Sequence, residues 1–287
     1  MTARNSGPTV RRRRLGGELR RLREAAGIEV EQACEALRCS ASKISRLENG
    51  RLPVRTRDVA DLLQLYGVPP GEHREALLAL ARESRRHGWW QAYQDVVPAW
   101  FEVYIGLEAG ASSISVYEPQ LVHGLLQTAD YARAVMRASL PEASDDEIER
   151  RVALRLDRQS RLHEDSPPRL QVILDEAVLR RPVGGTAAMS AQLTRINRTA
   201  ELPNVTVQVL PLSVGAHAGL GSTFSVLTFA DETDHDVVYI EKGAGSLYLE
   251  RPAEIRRYRV RLDRLMASAL SPADSAALIA DVSEDFR

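Results

Sequence analysis

The sequence is poor in cysteine, lysine and aromatic residues. Its two cysteines, Cys34 and Cys39, form no CxxC pair and have no histidine at ligand spacing. That excludes a disulfide scaffold and reads as two reduced, buried small side chains in a cytoplasmic protein. Of 38 basic residues only Lys43 and Lys242 are lysine, a bias that reflects GC-rich arginine codons rather than chemistry. No apolar run approaches the ~20 residues that cross a bilayer, so no membrane partner is expected. Met1 to Gly7 carry charge with no apolar stretch behind them, which predicts no secretory leader. With 44% hydrophobic and 27% charged residues, the chain is neither wholly disordered nor collagen-like nor a coiled coil alone. Its 287 residues suit two domains of ~150 residues or one large one.

The formal net charge of −1 hides an asymmetry: residues 1–60 carry +7 and the remainder −8. A basic head on an acidic body suggests that one part meets phosphate and the other faces away from it.

Residues 1–14 read as a disordered basic arm. Its run Arg11, Arg12, Arg13 and Arg14 is either a solvated tail or an arm that follows DNA phosphates or enters a minor groove. Five short helical patterns then fill residues 15–87. Leu15, Leu19, Leu22 and Ala26 share a face, and Gly27 stops that helix. Val30, Ala33, Cys34 and Leu37 make a second face. Ile44 and Leu47 anchor a third, with Ser40 as N-cap and Gly50 past its end. Thr56 is placed to cap a fourth, with Val59, Leu62, Leu63 and Tyr66 inward. A fifth runs from about Pro70 to His87 on Leu77, Leu78 and Ala81. Residues 88–110 are an aromatic-rich junction. Beyond it, β-branched runs predict strands at Leu170–Leu174, Val205–Leu210, Phe224–Phe229, Val237–Glu241 and Ser246–Leu249. Helices are expected near Gln127–Arg137, Ser144–Leu162, Ala187–Ala200 and Ala253–Ala269. The expected architecture is an all-α five-helix helix-turn-helix domain followed by an α+β domain over 111–287 that regulates and dimerises.

Residues 31–50 carry most of the inference. Two short helices joined by a tight turn are the helix-turn-helix arrangement. Cys34 supplies the small residue where the helices cross, and Ile44 and Leu47 face inward. The turn goes left-handed and prefers glycine; Arg38 stands there instead, at a cost of ~1 kcal/mol. Ser42, Lys43, Ser45 and Arg46 then point outward, with Ser40, Asn49 and Arg51 at the ends of the same helix. Short hydroxyls and cations suit a helix lying in a DNA groove, where serine meets phosphate or base edges and arginine grips guanine at two points.

Residues 15–66 resemble the Xre/Cro-type helix-turn-helix domain of bacterial and phage repressors, most closely over Lys43-Ile44-Ser45-Arg46-Leu47-Glu48-Asn49-Gly50. That family commonly opens its first motif helix with Ser or Thr followed by Gln. This chain has Glu29 and Val30 there, so no DNA contact is carried over from that position. Further motifs are similar to the actinobacterial group of WhiJ-like regulators. They are Gly88-Trp89-Trp90, Tyr117-Glu118-Pro119-Gln120-Leu121-Val122, Gly124-Leu125-Leu126-Gln127-Thr128, Asp175-Glu176-Ala177, Arg181-Pro182-Val183-Gly184-Gly185, Asn204 to Pro211 and Ala216-His217-Ala218-Gly219. The resemblance spans about residues 15–285. It implies a transcriptional regulator with an antitoxin-like C-terminal domain, encoded in many cases beside a very small partner protein.

The second half offers no catalytic signature. Gly184-Gly185 lacks the lysine of a phosphate loop, HExxH and GxSxG are absent, and the six histidines lie scattered without ligand spacing. Neither enzyme activity, cofactor nor metal is therefore expected. Trp89, Trp90 and Tyr93, with Trp100 and Tyr104, are either core or the wall of a pocket. Glu118, Gln120 and His123 are read as a loop entering a helix, with Gln127 and Tyr131 on one helix face by their spacing of four. These groups either orient a small ligand or fix the loop by hydrogen bonds. The resulting expectation is a sequence-specific regulator, a repressor, that binds double-stranded operator DNA as a homodimer and receives a small-molecule or small-protein signal. It would sit in the cytoplasm and on the nucleoid when bound to DNA. The alternative is an antitoxin-type adaptor that mainly grips a small partner and binds DNA only to regulate itself.

Overall fold

A computed structural model describes residues 8–85, 88–231, 234–242 and 245–286. The chain divides into two compact units. The first holds the residues up to Ala92 with Glu102–Gly110 and Asp231–Asp234; the second holds Tyr93–Phe101, Ala111–Ala230 and His235–Arg287.

The first unit is helical. Its elements are α1 (Pro8–Ala25), α2 (Val30–Leu37), α3 (Ala41–Glu48), α4 (Thr56–Leu65) and α5 (Glu72–Ser84), followed by a 3₁₀ turn at Trp89–Tyr93. Its core is Leu15, Leu19, Ala33, Ile44, Leu47, Val59, Leu62, Leu63, Leu77 and Ala81, all buried. These recur at three- and four-residue spacing, so each helix turns one stripe inward.

Four details of the first unit differ from expectation. Helix α1 begins at Pro8, so Arg11 to Arg14 are helical rather than part of a disordered arm; residues 1–7 lie outside the described residues. The segment is anchored because Thr9 and Val10 are buried, and Thr9 fits only because Gly106 has no side chain to meet it. Ala26 is exposed, since the helix has already ended at Ala25. Ala33, not Cys34, is the fully buried small residue of α2; both cysteines are free and partly buried. Thr56 is the first residue of α4, and Arg55 holds the N-cap position without a side-chain bond.

Helix α6 (Ala99–Gly110) occupies the expected junction and leads into β1 (Ser113–Glu118). There follow α7 (Ala129–Ser139), α8 (Asp145–Gln159), β2 (Arg169–Asp175), α9 (Glu176–Arg180), α10 (Thr186–Ala200) and β3 (Val205–Leu210). Strands β4 (Phe224–Thr228), β5 (Val237–Lys242) and β6 (Gly245–Leu249) precede α11 (Pro252–Ser268) and α12 (Pro272–Glu284). The sheet order is β3-β2-β1-β4-β5-β6. β1, β2 and β3 run parallel, with Tyr117 opposite Ile173 and Ile173 opposite Gln208; β4, β5 and β6 form an antiparallel meander joined to β1. The architecture is thus α+β, with a parallel half that the expected strands do not reveal because they omit β1.

One sheet face packs Tyr117, Ile173, Leu210, Phe224, Val226, Val238 and Ile240 against Ile255, Leu262 and Leu265 of α11. Ile114, Val116, Val172, Leu174, Val207 and Val209 alternate to the other face and are also buried. Burial on both faces is what a sheet with parallel crossovers requires.

Candidate nucleic-acid interface

The turn between α2 and α3 is built by backbone bonds. Cys39 N donates to Cys34 O at 2.9 Å and Arg38 N to Glu35 O at 3.1 Å. This is the Schellman pattern, which needs a left-handed residue just past the helix. Arg38 adopts φ 51°, ψ 51° and is the one non-glycine residue with positive φ among those described. Ser40 caps α3, its hydroxyl accepting from Lys43 N. Ahead of α2, the Gln32 side chain accepts from Glu29 N, so the departure at Glu29-Val30 still starts the helix.

The aliphatic side of α3 is sealed: Ile44 is 0% exposed and Leu47 3%. A buried ion pair pins the end of the helix. Arg23 Nε donates to Glu48 Oε1 at 2.6 Å, its second nitrogen to Oε2 at 3.1 Å, and its third to Ile28 O. The bond to Glu48 raises the Arg23 pKa. Nearby, burial and the Glu48 charge push the Tyr66 phenol up to about 12. Gly16 brings α1 against α3, since a Cβ there would lie 2.5 Å from Leu47 O. Gly50, at φ 64°, likewise leaves room for the Arg13 backbone. Sequence reasoning missed this pair and both glycine contacts, because no local pattern links residues 25 or more positions apart.

The opposite side of α3 faces solvent. Ser40, Ser42, Ser45, Arg46, Asn49 and Arg51 are exposed. Asn49 Nδ2 donates to Ser45 O at 2.8 Å and approaches its hydroxyl at 3.4 Å. Lys43 is less free, with Nζ 3.8 Å from Asp58 Oδ2. Arg55 and Arg57, both exposed, lie at the start of α4, the helix that carries Asp58. Neither was expected, although an arginine on either side of a helix start is a readable sign. Two helix N-termini and these cations make a surface suited to phosphate.

The expected arm does not form over Arg11–Arg14. Arg11 pairs with Glu83 at 3.4 Å, Arg12 Nε donates to Ser84 O at 2.9 Å, and Arg14 pairs with Asp231. Burial lowers the Arg12 pKa against the pull of Glu102. These cations are engaged by protein acceptors.

The residues expected at a pocket fall in both units. Trp89 and Trp90 belong to the first unit, and Tyr93, Glu118, Gln120, His123, Gln127 and Tyr131 to the second. Trp90 is buried and Trp89 is 44% exposed. Tyr93 donates to Asp157, which raises its pKa. Glu118 ends β1 rather than lying in a loop. Burial pushes its carboxyl up to about 8, against the bond from Thr223. Gln120 is exposed, and the buried His123 Nδ1 accepts from Leu125 N.

Gln127 does not share a helix face with Tyr131, because α7 starts only after the Thr128 cap. Gln127 instead donates to Val122 O and accepts from Arg155, while the Tyr131 hydroxyl accepts from Val122 N. Gln159 and Gln192 complete the bracing of this segment through Gly124 O, Gln127 O and Leu126 O. These groups fix the loop. In the Ala216–Gly219 motif, Gly219 lies against the Tyr117 ring, where a Cβ would not fit, and Gly219 N donates to His217 Nδ1.

Among the described residues no group of three or more His, Cys, Asp or Glu is placed to hold a metal. No single helix among them is long and apolar enough to cross a membrane.

A turn of this geometry, with one sealed and one open side on its second helix, defines a helix-turn-helix protein. A helix-turn-helix domain model matches residues 14–77, and a model described as a domain of unknown function, DUF5753, matches residues 101–281. The second covers more than half of the chain, which therefore belongs to the DUF5753 family. No curated protein and no solved structure matches it.

Proposed function

We propose that the chain is a sequence-specific DNA-binding transcriptional regulator of the Xre/Cro type, acting as a repressor, in the WhiJ-like group. The observation that carries this reading is the two-sided character of α3. Its aliphatic stripe is closed against the bundle, and Ser42, Ser45, Arg46 and Asn49 are open to solvent. Ser42 and Arg46 read base edges, Ser40 and Lys43 sit at the positive end of the helix toward phosphate, and Arg51, Arg55 and Arg57 grip the backbone. Proteins of this type bind as two-fold dimers on half-sites one helical turn, ~34 Å, apart. The DUF5753 unit is the part left to dimerise and to receive a small-molecule or small-protein signal. Such an input changes DNA affinity by altering the spacing of the two heads. The reading assigns this unit no catalysis.

A gel shift on DNA from upstream of the chain's own gene tests the reading. Arg46→Ala with Lys43→Ala should weaken binding at least tenfold at physiological salt; undiminished binding rejects α3 as the reading helix. A small protein that copurifies with the full chain, joined to weak and unspecific DNA binding, would favour the antitoxin-type adaptor instead.

A further inference from the structure

Helix α11 carries five arginines against two acids in a body whose net charge is negative. Ile255, Leu262 and Leu265 bury its inner stripe against the sheet. Arg256, Arg257 and Arg264 point the other way and are exposed, around an exposed Val260. Elsewhere in this unit several arginines have carboxylates, while among the described residues the exposed Arg169, Arg181, Arg198 and Arg251 have none; α11 differs in bringing three such arginines onto one helix face. Arg133 pairs with Asp130 and Glu149, Arg137 with Asp145, Arg150 with Asp95 and Arg151 with Glu147. On α11 Arg259 pairs with Asp236, and Arg261 stacks over Tyr258. Among the described residues no ion pair or hydrogen bond engages Arg256, Arg257 or Arg264.

Helix stability does not explain this pattern. Like charges four apart, as at Arg257 and Arg261, are unfavourable by ~0.2–0.5 kcal/mol. The last turn, where the helix dipole favours a cation, has none. Glu254 sits in the first turn, and Asp263 is the one acid among the exposed residues of the outer face.

We infer that Arg256, Arg257 and Arg264 form a second phosphate-binding surface, which grips the DNA backbone without reading sequence. This rests on the DNA-binding reading of α3. From Arg256 to Arg264 the helix rises ~12 Å, over which one DNA strand presents three or four phosphates at ~3.4 Å each. A protein partner fits the face less well. Protein interfaces have a core depleted of charge, and Val260 is the one large apolar side chain exposed on this face among the described residues, beside the small Ala253 and Ala267. DNA held by the first unit is also supplied to the second at the high effective concentration of a shared chain.

The test is fluorescence anisotropy of the full chain on a labelled duplex from its own upstream region, over a potassium chloride series. Removing one cation–phosphate contact flattens the log–log salt slope by ~0.9. Arg256→Gln, Arg257→Gln and Arg264→Gln together should flatten it by about 2.7 and weaken binding more than tenfold, whereas the three Lys replacements keep the slope. An unchanged slope in the Gln variant, with binding still weakened by Arg46→Ala, overturns the inference and leaves the α3 reading intact. A flattened slope with no effect of Arg46→Ala supports the inference and rejects that reading. An unchanged slope together with a smaller species on a sizing column overturns it in favour of a face that binds a second copy.

Discussion

The densest basic run in the chain and the helix with only two cations exchange roles once folded. Arg11–Arg14 look like a free arm, yet Arg11, Arg12 and Arg14 meet acceptors at Glu83, Ser84 and Asp231. Helix α3 holds just Lys43 and Arg46, yet Ser42, Ser45 and Arg46 stay open to solvent. The lesson is that availability, not density, makes a charged residue a candidate for DNA. A guanidinium held by a protein acceptor has fewer free donors and less reach for a phosphate.

The sharpest way to break this contrast is to unpin α3 itself. Glu48→Ala leaves the Arg23 guanidinium buried without its partner, and removing one side of such a pair typically costs about 3–5 kcal/mol. Urea denaturation should report a loss of that size, with DNA binding lost in parallel because the open face is no longer held. Next in size, Arg46→Ala should weaken binding by about 1–3 kcal/mol, the range for one good base contact. The urea midpoint should stay at the wild-type value, as for surface changes generally. Arg12→Ala should behave in the opposite way. It removes a charge-assisted bond of about 1.5–3 kcal/mol, so stability falls while operator affinity at matched folded fraction holds. If Arg12→Ala instead weakens DNA binding without destabilising the fold, the contrast fails.

Arg38→Gly makes a smaller change in the turn between the two motif helices. A left-handed arginine is strained by about 1 kcal/mol, so the glycine variant should melt later and bind DNA equally well. An effect of a different kind, read from pH rather than from DNA binding, lies in the second unit. Glu118 has its carboxyl pushed up to about 8 by burial, from an ordinary 4.5. Between those values the unfolded chain loses the proton first, so the native state binds more protons and stability falls as pH rises through the window. Urea midpoints taken across that range should decline, and Glu118→Gln should flatten the decline.

Much of the first unit is readable locally. The stripes Leu15–Leu19, Ile44–Leu47 and Val59–Leu62–Leu63, the Ser40 cap and the left-handed turn at Arg38 each depend on neighbours within a few residues. In the second unit β1 is readable too, since Ser113 and Ser115 alternate with Ile114 and Val116. Reading Glu118 as part of a loop obscures it. The opening of α12 carries a similar sign, Ser271 capping Asp274 N ahead of an apolar run. The Arg23–Glu48 pair, the clasp of Gly16 on Leu47 and the bracing of Gln127 have no such sign. Each joins segments that the backbone alone does not bring together.

The amino-acid order by itself determined the helices of the head, the strained turn between two of them and the choice of α3 as the helix with a polar outer side. Those features follow from periodicity and from the steric limits of single residues. Only the tertiary structure decided which polar groups remain open. Among the described residues Gln127, Tyr131 and Arg12 are engaged, and the side chains of Arg46, Arg256, Arg257 and Arg264 are not. That outcome depends on which acceptors the packing of distant segments places within ~3 Å, a distance that one-dimensional spacing does not encode.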